Sequence, residues 1–240
     1  MFFSYKDTRI YYEEYGPEHG QAMILLHGNG EDHTYFRYQI AHFQERFHVY
    51  ALDTRGHGRS THGKRTLDFD LLAEDVHAFV LEKGLEHLIL LGFSDGGNIA
   101  IAYALHYPEQ VDSMILNGAN LWPEGMERHA YRSTVRGYRI LEALAQHWKK
   151  AQRKLEVFGL MVHHPHFTLE ELGTLRMPVL VIAGEHDMIQ EKHTQAIARA
   201  LPNSRLVIMK KADHFCARKC PVRFNRLVDQ FLKKVRKTDE

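Results

Sequence analysis

The chain has only two cysteines, Cys216 and Cys220, in 240 residues. That excludes a disulfide framework, and two free thiols in a reducing, cytoplasmic compartment are expected. Their spacing is not that of a zinc motif, and no third cysteine exists to complete one. Charge of one sign is also missing. Lys and Arg number 31 against 30 Asp and Glu, for a formal net charge of +1. No long-range field therefore argues for nucleic acid or an anionic membrane as partner. No apolar run approaches the roughly eighteen residues of a membrane-span candidate. Met1 to Asp7 has no basic region followed by an apolar stretch, so no signal peptide is expected. The 18 histidines are scattered and form no H-E-x-x-H. Their densest group, His163-His164-Pro165-His166, precedes the capping pattern Thr168-Leu169-Glu170-Glu171. It reads as a polar loop and helix start, and no metal is expected.

What is present is the composition of a soluble globular protein, 44% hydrophobic and 25% charged. The length fits one large α/β domain with room for an insertion. Arg9 to Tyr15 alternates and reads as an edge strand, antiparallel to Met1 to Tyr5. Apolar runs at Ala22 to Leu26, Phe47 to Leu52, His87 to Phe93, Val111 to Asn117, Pro178 to Ala183 and Arg205 to Met209 read as buried strands. Helical faces recur between them: Phe36, Ile40 and Phe43; Leu71, Leu72, Val76, Phe79 and Val80 before Gly84; and Phe224, Leu227, Val228 and Phe231 in a last helix from about Pro221 to Lys237. Strands alternating with helices imply a mostly parallel sheet covered on both faces. From about Leu121 to Arg176 no β-like run occurs. Arg128, Arg132, Arg136 and Arg139 recur there at helical spacing and read as a solvated face.

The segment richest in chemistry is Gly92-Phe93-Ser94-Asp95-Gly96-Gly97, between the apolar run ending at Leu91 and the helical stretch Asn98 to Leu105. This G-x-S-x-G in strand–turn–helix context has the pattern of a nucleophile elbow. The tight turn requires neighbours without side chains, here Gly92 and Gly96, and it lifts the Ser94 hydroxyl clear of the sheet. Asp187 and His214 each stand just past a predicted strand, at the end where open α/β sheets build their sites. In the chain order Ser94, Asp187, His214 they supply a nucleophile, a group that orients the imidazole and a base. A developing oxyanion needs two donors. The backbone N–H of Asp95, next after the serine, is one. Asn29, in the loop His27-Gly28-Asn29-Gly30 after an early strand, is the candidate for the other. Asp53 and Arg55, in the Gly-rich segment Asp53 to Ser60, read as loop-ordering rather than catalytic. Cys216, two residues past His214, is close enough in sequence to line the pocket.

Together these segments resemble the α/β-hydrolase superfamily over nearly the whole chain. The landmarks are His27-Gly28-Asn29-Gly30, Asp53-Thr54-Arg55-Gly56-His57-Gly58-Arg59-Ser60, Gly92 to Gly97, Gly184 to Asp187 and Asp213-His214. The resemblance implies the α/β-hydrolase fold, a central sheet flanked by helices. It implies a serine hydrolase of small molecules with neither metal nor organic cofactor. The Ser94-Asp95-Gly96-Gly97 form is similar to the branch of valacyclovir hydrolase and biphenyl-hydrolase-like proteins. In the family, a stretch placed between the fifth and sixth parallel strands, as 121–176 is expected to be, carries a helical cap over the site. The core is then 1–120 with 177–240. Trp122, Met126, Phe158, Met161 and Phe215 are candidates to line the pocket, and Asp95 to receive a substrate ammonium. Hydrolysis of small carboxylic esters is the leading expectation. Carbon–carbon bond hydrolysis or a cofactor-free lyase reaction on the same residues is an alternative, and a slow-turnover ligand receptor is another of a different class. Ser94 disfavours haloalkane dehalogenase and epoxide hydrolase chemistry, whose branches carry aspartate at the elbow.

Overall fold

The apolar runs assemble into one eight-stranded sheet in a computed structural model that describes residues 1–236, apart from the side chains of Lys149 and Lys150. The strands are β1 (Phe2–Tyr5), β2 (Thr8–Tyr15), β3 (Ala22–Leu26), β4 (His48–Leu52), β5 (Leu88–Phe93), β6 (Val111–Asn117), β7 (Val179–His186) and β8 (Ser204–Asp213), in the spatial order β1-β2-β4-β3-β5-β6-β7-β8. Strands β3 to β8 run parallel, and β1 and β2 join antiparallel at one side. The edge strand there is β1. Arg9 to Tyr15 is not an edge, because β2 pairs with β1 on one side and β4 on the other.

Both faces of the sheet are covered, so its two innermost strands, β3 and β5, carry no polar side chain. In β3, Met23 and Leu25 face one core, while Ile24 and Leu26 face the other. The first core is closed by α1 (Arg37–Phe43), α8 (Cys216–Lys219) and α9 (Pro221–Arg236), through Ile40, Phe43, Cys216, Phe224 and Val228. The expected last residue of the final helix, Lys237, lies outside the described residues. The opposite core is closed by α2 (Phe69–Lys83), α3 (Asp95–His106) and α7 (Glu191–Ala200). Asp68 caps α2 by accepting the Leu71 N–H, and Gly84 ends it at a φ of 60°, the left-handed conformation that glycine adopts without strain.

The stretch without strands holds α4 (Arg128–Ala145), α5 (Lys149–His163) and the one-turn α6 (Leu169–Leu172). Because β2 is antiparallel, this stretch lies between the fourth and fifth parallel strands, one earlier than the sequence count suggests. Helices α4 and α5 pack on each other as a hairpin, whereas α6 packs on α3 and α7. Thr168 and Glu171 form the expected capping box. Arg128, Arg132, Arg136 and Arg139 are all exposed.

Asp53 and Arg55 order the loop after β4. The Asp53 carboxylate accepts the backbone N–H groups of His33 and Arg59 and faces the His33 Nδ1 at 2.7 Å. Arg55 is fully buried and donates twice to Asp75, at 2.7 Å each, and once to Asp7 at 2.9 Å. Removing Asp75 strands a buried guanidinium, which is the expensive way to break such a pair. Asp75→Ala should lower the unfolding free energy by about 3–5 kcal/mol, read from urea denaturation. Asp7→Ala, which removes the more exposed partner, should cost clearly less.

Candidate active site

Strand β5 runs into Ser94, whose φ of 53° and ψ of −120° is a conformation seldom held by a residue with a side chain. The surroundings force it. The Ser94 N–H donates to the Asn117 carbonyl at 2.8 Å, and the Ser94 carbonyl accepts the Gly97 N–H at 2.8 Å. A Cβ on Gly92 would stand 2.3 Å from the Gly96 carbonyl oxygen, and one on Gly96 only 1.8 Å from that of Leu26. Those neighbours are backbone and cannot move aside, so the two glycines are required for close approach.

Strand β7 extends three residues beyond the sequence estimate, to His186, and β8 extends to Asp213. Asp187 and His214 therefore follow their strands directly. The register between β7 and β8 shifts at Gly184/His186, a bulge of the kind that re-aims a side chain at a sheet end. The Asp187 carboxylate accepts the N–H groups of Gly184 at 3.1 Å and Ile189 at 3.0 Å. Its Oδ1 lies 2.6 Å from His214 Nδ1, and His214 Nε2 lies 3.1 Å from Ser94 Oγ. His214 is buried against the rings of Phe93 and Phe215. Gly118, with a φ of 66°, lies under it, and a Cβ there would come within 2.7 Å of the imidazole. Sequence reasoning missed Gly118. The available signal was a glycine directly after β6.

The loop after β3 is set by His27. Burial pushes its imidazole down to about 4. In the neutral ring Nδ1 donates to the Gly28 carbonyl, and Nε2 accepts the Thr54 N–H. Gly28 then lies against Ser94, where an added Cβ would be 3.2 Å from the Ser94 Cβ. Asn29 and Asp95 meet through their side chains. The Asn29 amide donates to Asp95 Oδ2 at 2.9 Å and to the Val157 carbonyl of α5 at 2.6 Å. Asp95 opens α3, so its N–H has no acceptor within the helix. Burial pushes its carboxyl up to about 6, with the Asn29 amide and His214 acting the other way.

The remaining candidates divide. Phe158 lines a cleft of about 620 Å³ with Asn29, Leu141, Val157 and, at its charged side, Arg153 and Lys154. Phe215 packs on His214. Trp122 lies edge-on to His193, and Met126 pairs with Ile189, next but one to Asp187. Met161 is half-buried on α5. Trp122, Met126 and Met161 do not line the Phe158 cleft. Cys216 is fully buried in the core, and burial pushes its thiol up to about 12, so it neither lines the pocket nor offers a thiolate. Glu31, beside Asn29, was not anticipated. Burial pushes its carboxyl up to about 7 against the pull of Arg218 and His214. Among the described residues one group, Asp32, His33 and Asp53, has metal-ligand proximity. Its carboxylates already accept hydrogen bonds from the loop, as in Asp32 with Thr34 and Asp53 with His33. His164 meets the rings of Phe69 and His166, and His163 that of Tyr138.

Comparison with known proteins bears on the family and the fold. A family model described as the alpha/beta hydrolase fold matches residues 21–139. The AB hydrolase superfamily protein YisY of Bacillus subtilis (strain 168) is 29% identical over 255 residues, covering 92% of this chain and 94% of its own. Serine hydrolase BPHL of Homo sapiens is 28% identical over 243 residues, covering 94% and 83%. It is in line with the branch that the elbow sequence resembles. The structure of carboxylesterase CesB (YbfK) of Bacillus subtilis superposes with a TM-score of 0.79 at 22% identity, covering 97% of this chain and 90% of that one. At that identity the likeness speaks for the fold. Taking elbow, sheet and relatives together, the chain belongs to the α/β-hydrolase superfamily.

Proposed function

We propose that this hydrolase cleaves small carboxylic esters through an acyl-enzyme on Ser94. The observation that carries the reading is the relay Asp187–His214–Ser94, with its contacts of 2.6 and 3.1 Å. His214 Nε2 takes the hydroxyl proton as Ser94 Oγ bonds to the ester carbon. The carbonyl oxygen, now negative, is held by the N–H groups of Asn29 and Asp95 at the positive end of α3. As the tetrahedral species collapses, the C–O bond to the alcohol breaks and His214 returns the proton to the leaving oxygen. Water, deprotonated by His214 in turn, then frees the acid and Ser94. Asp187 fixes the tautomer and stabilises the imidazolium. The α4–α5 hairpin, contacting the Asn29 loop through Val157, acts as the cap and limits water at the acyl group. The similarity to serine hydrolase BPHL supports this chemistry. The two unpaired cysteines support a reducing, cytoplasmic setting.

A second reading of the substrate rests on Asp95. A buried carboxyl whose one side-chain donor among the described residues is a neutral amide stands beside the nucleophile. An α-ammonium group on the acyl part would offset its charge, which makes α-amino acid esters a preferred subset.

Ser94→Ala should lower kcat on a short-chain p-nitrophenyl ester by about 10⁴-fold or more and abolish fluorophosphonate labelling. Multiple turnovers by the unaltered protein separate an enzyme from a ligand receptor, and full activity in Ser94→Ala refutes the mechanism. The Asp95 reading predicts a pH window. Asp95 is charged above about 6, and an amino ester is charged below ~8. The kcat/KM ratio of valine methyl ester to methyl isovalerate should peak between those values and fall on both sides. Asp95→Asn should flatten it, a loss of about ten- to a hundredfold. A ratio independent of pH leaves Asp95 as a helix-end residue.

A further inference from the structure

The formal net charge of +1 is an average over two unlike regions. Residues 128–163, which hold α4 and α5, carry eight Lys and Arg against two Glu, and the rest of the chain carries 23 Lys and Arg against 28 Asp and Glu. Arg128, Arg132, Arg136, Arg139, Arg153 and Lys154 are all exposed, and none has an ion-pair or hydrogen-bond partner among the described residues. Large apolar side chains stand among them. Ile140 is 57% exposed, Leu144 43% and Trp148 63%. Arg132, Arg136, Ile140 and Leu144 recur at every fourth position and so form one row along α4. The other side of that helix packs on α5, where Tyr138 meets the His163 ring, and Ala145 is buried. Trp148 follows in the turn that opens α5. The tip of the hairpin is therefore apolar, with cations on either side of it along the chain.

This combination specifies the partner. Exposed apolar side chains flanked by cations suit the surface of an anionic bilayer, where Trp and Leu enter the headgroup boundary and Lys and Arg meet the lipid charges. A nucleic acid would pair its phosphates with the arginines but leave Ile140 and Leu144 in water. A second copy of this chain would bring like charges together. No helix among the described residues is long and apolar enough to cross a membrane, so the contact is peripheral. Arg153 and Lys154 also line the cleft that holds Asn29 and Phe158, so docking of the hairpin would bring that cleft to the lipid boundary.

We propose that the α4–α5 hairpin is a membrane-docking surface, which holds the protein at anionic lipid through its arginines and places Leu144 and Trp148 in the headgroup boundary. Such binding does not depend on which bond the site cleaves. The test is co-sedimentation with vesicles of phosphatidylcholine, alone or mixed with phosphatidylserine. The protein should pellet with the mixed vesicles, release as salt is raised and show a blue shift of tryptophan emission that Trp148→Phe removes. Each cation near an anionic surface is worth about fivefold in affinity, so Arg136→Gln with Arg139→Gln should weaken binding about twentyfold. Leu144→Ser with Trp148→Ser should weaken it too. All four positions are exposed, so both double variants should fold as the unaltered protein does. No pelleting with the mixed vesicles overturns the docking surface, as does binding that neither double variant weakens. Equal pelleting with phosphatidylcholine alone overturns the part assigned to charge. Binding to duplex DNA as tight as to mixed vesicles, and untouched by Leu144→Ser with Trp148→Ser, makes the hairpin a polyanion site and overturns its assignment to a membrane.

Discussion

The site depends on one close approach of backbone to backbone, Gly96 against the Leu26 carbonyl at the foot of the elbow. That contact brings the start of α3 within reach of the end of β3, and it holds only because neither Gly92 nor Gly96 carries a side chain. With it in place, Ser94 is locked at a positive φ and the loop at Gly28 lies against the serine. The strain is stored locally and offset by the sheet on either side, where β3 and β5 are apolar throughout. The more distant parts then need only deliver one side chain each. Strands β7 and β8 do so by ending at the residues before Asp187 and His214.

The parts of this arrangement fixed by local rules were legible in the sequence. Period-two and continuous apolar runs gave the strands, and Gly84 marked the end of α2, because left-handed turns restrict residue type strongly. The meeting of Ser94, Asp187 and His214 was legible because three residue types fall just past strand ends in a recognisable order. What was not legible depends on distance in three dimensions. The count of parallel strands failed because alternation along β2 does not reveal which neighbours it pairs with. Trp122, Met126 and Met161 were chosen for apolar character within a helical stretch, which does not specify the face a side chain presents. Glu31 was missed for the same reason, since a lone carboxylate carries no pattern until Arg218 is placed beside it.

Histidine is abundant in this chain, yet several imidazoles near the site serve as neutral hydrogen-bonding rings. Burial lowers His27 to about 4, His57 to about 3 and His193 to about 4. Each then accepts or donates to a loop: His27 to the turn before Asn29, and His193 from the Leu121 N–H. His214 differs in its partner rather than its depth. It faces a carboxylate that is itself fixed by two backbone donors, whereas the others face carbonyls, amides or a hydroxyl.

The Asn29 amide has two hydrogens, and the structure assigns one to Asp95 and one to the Val157 carbonyl of α5. A single side chain thus spans the elbow and the helical hairpin. Whatever alters the charge on Asp95 changes the strength of its half of that bridge, and the amide must redistribute toward or away from α5. Linkage makes the traffic two-way: a displacement of the hairpin that lengthens the Val157 contact must shift the proton affinity of Asp95 by the same free energy. Protonation of Asp95 and the position of the hairpin are therefore coupled through one rotatable amide.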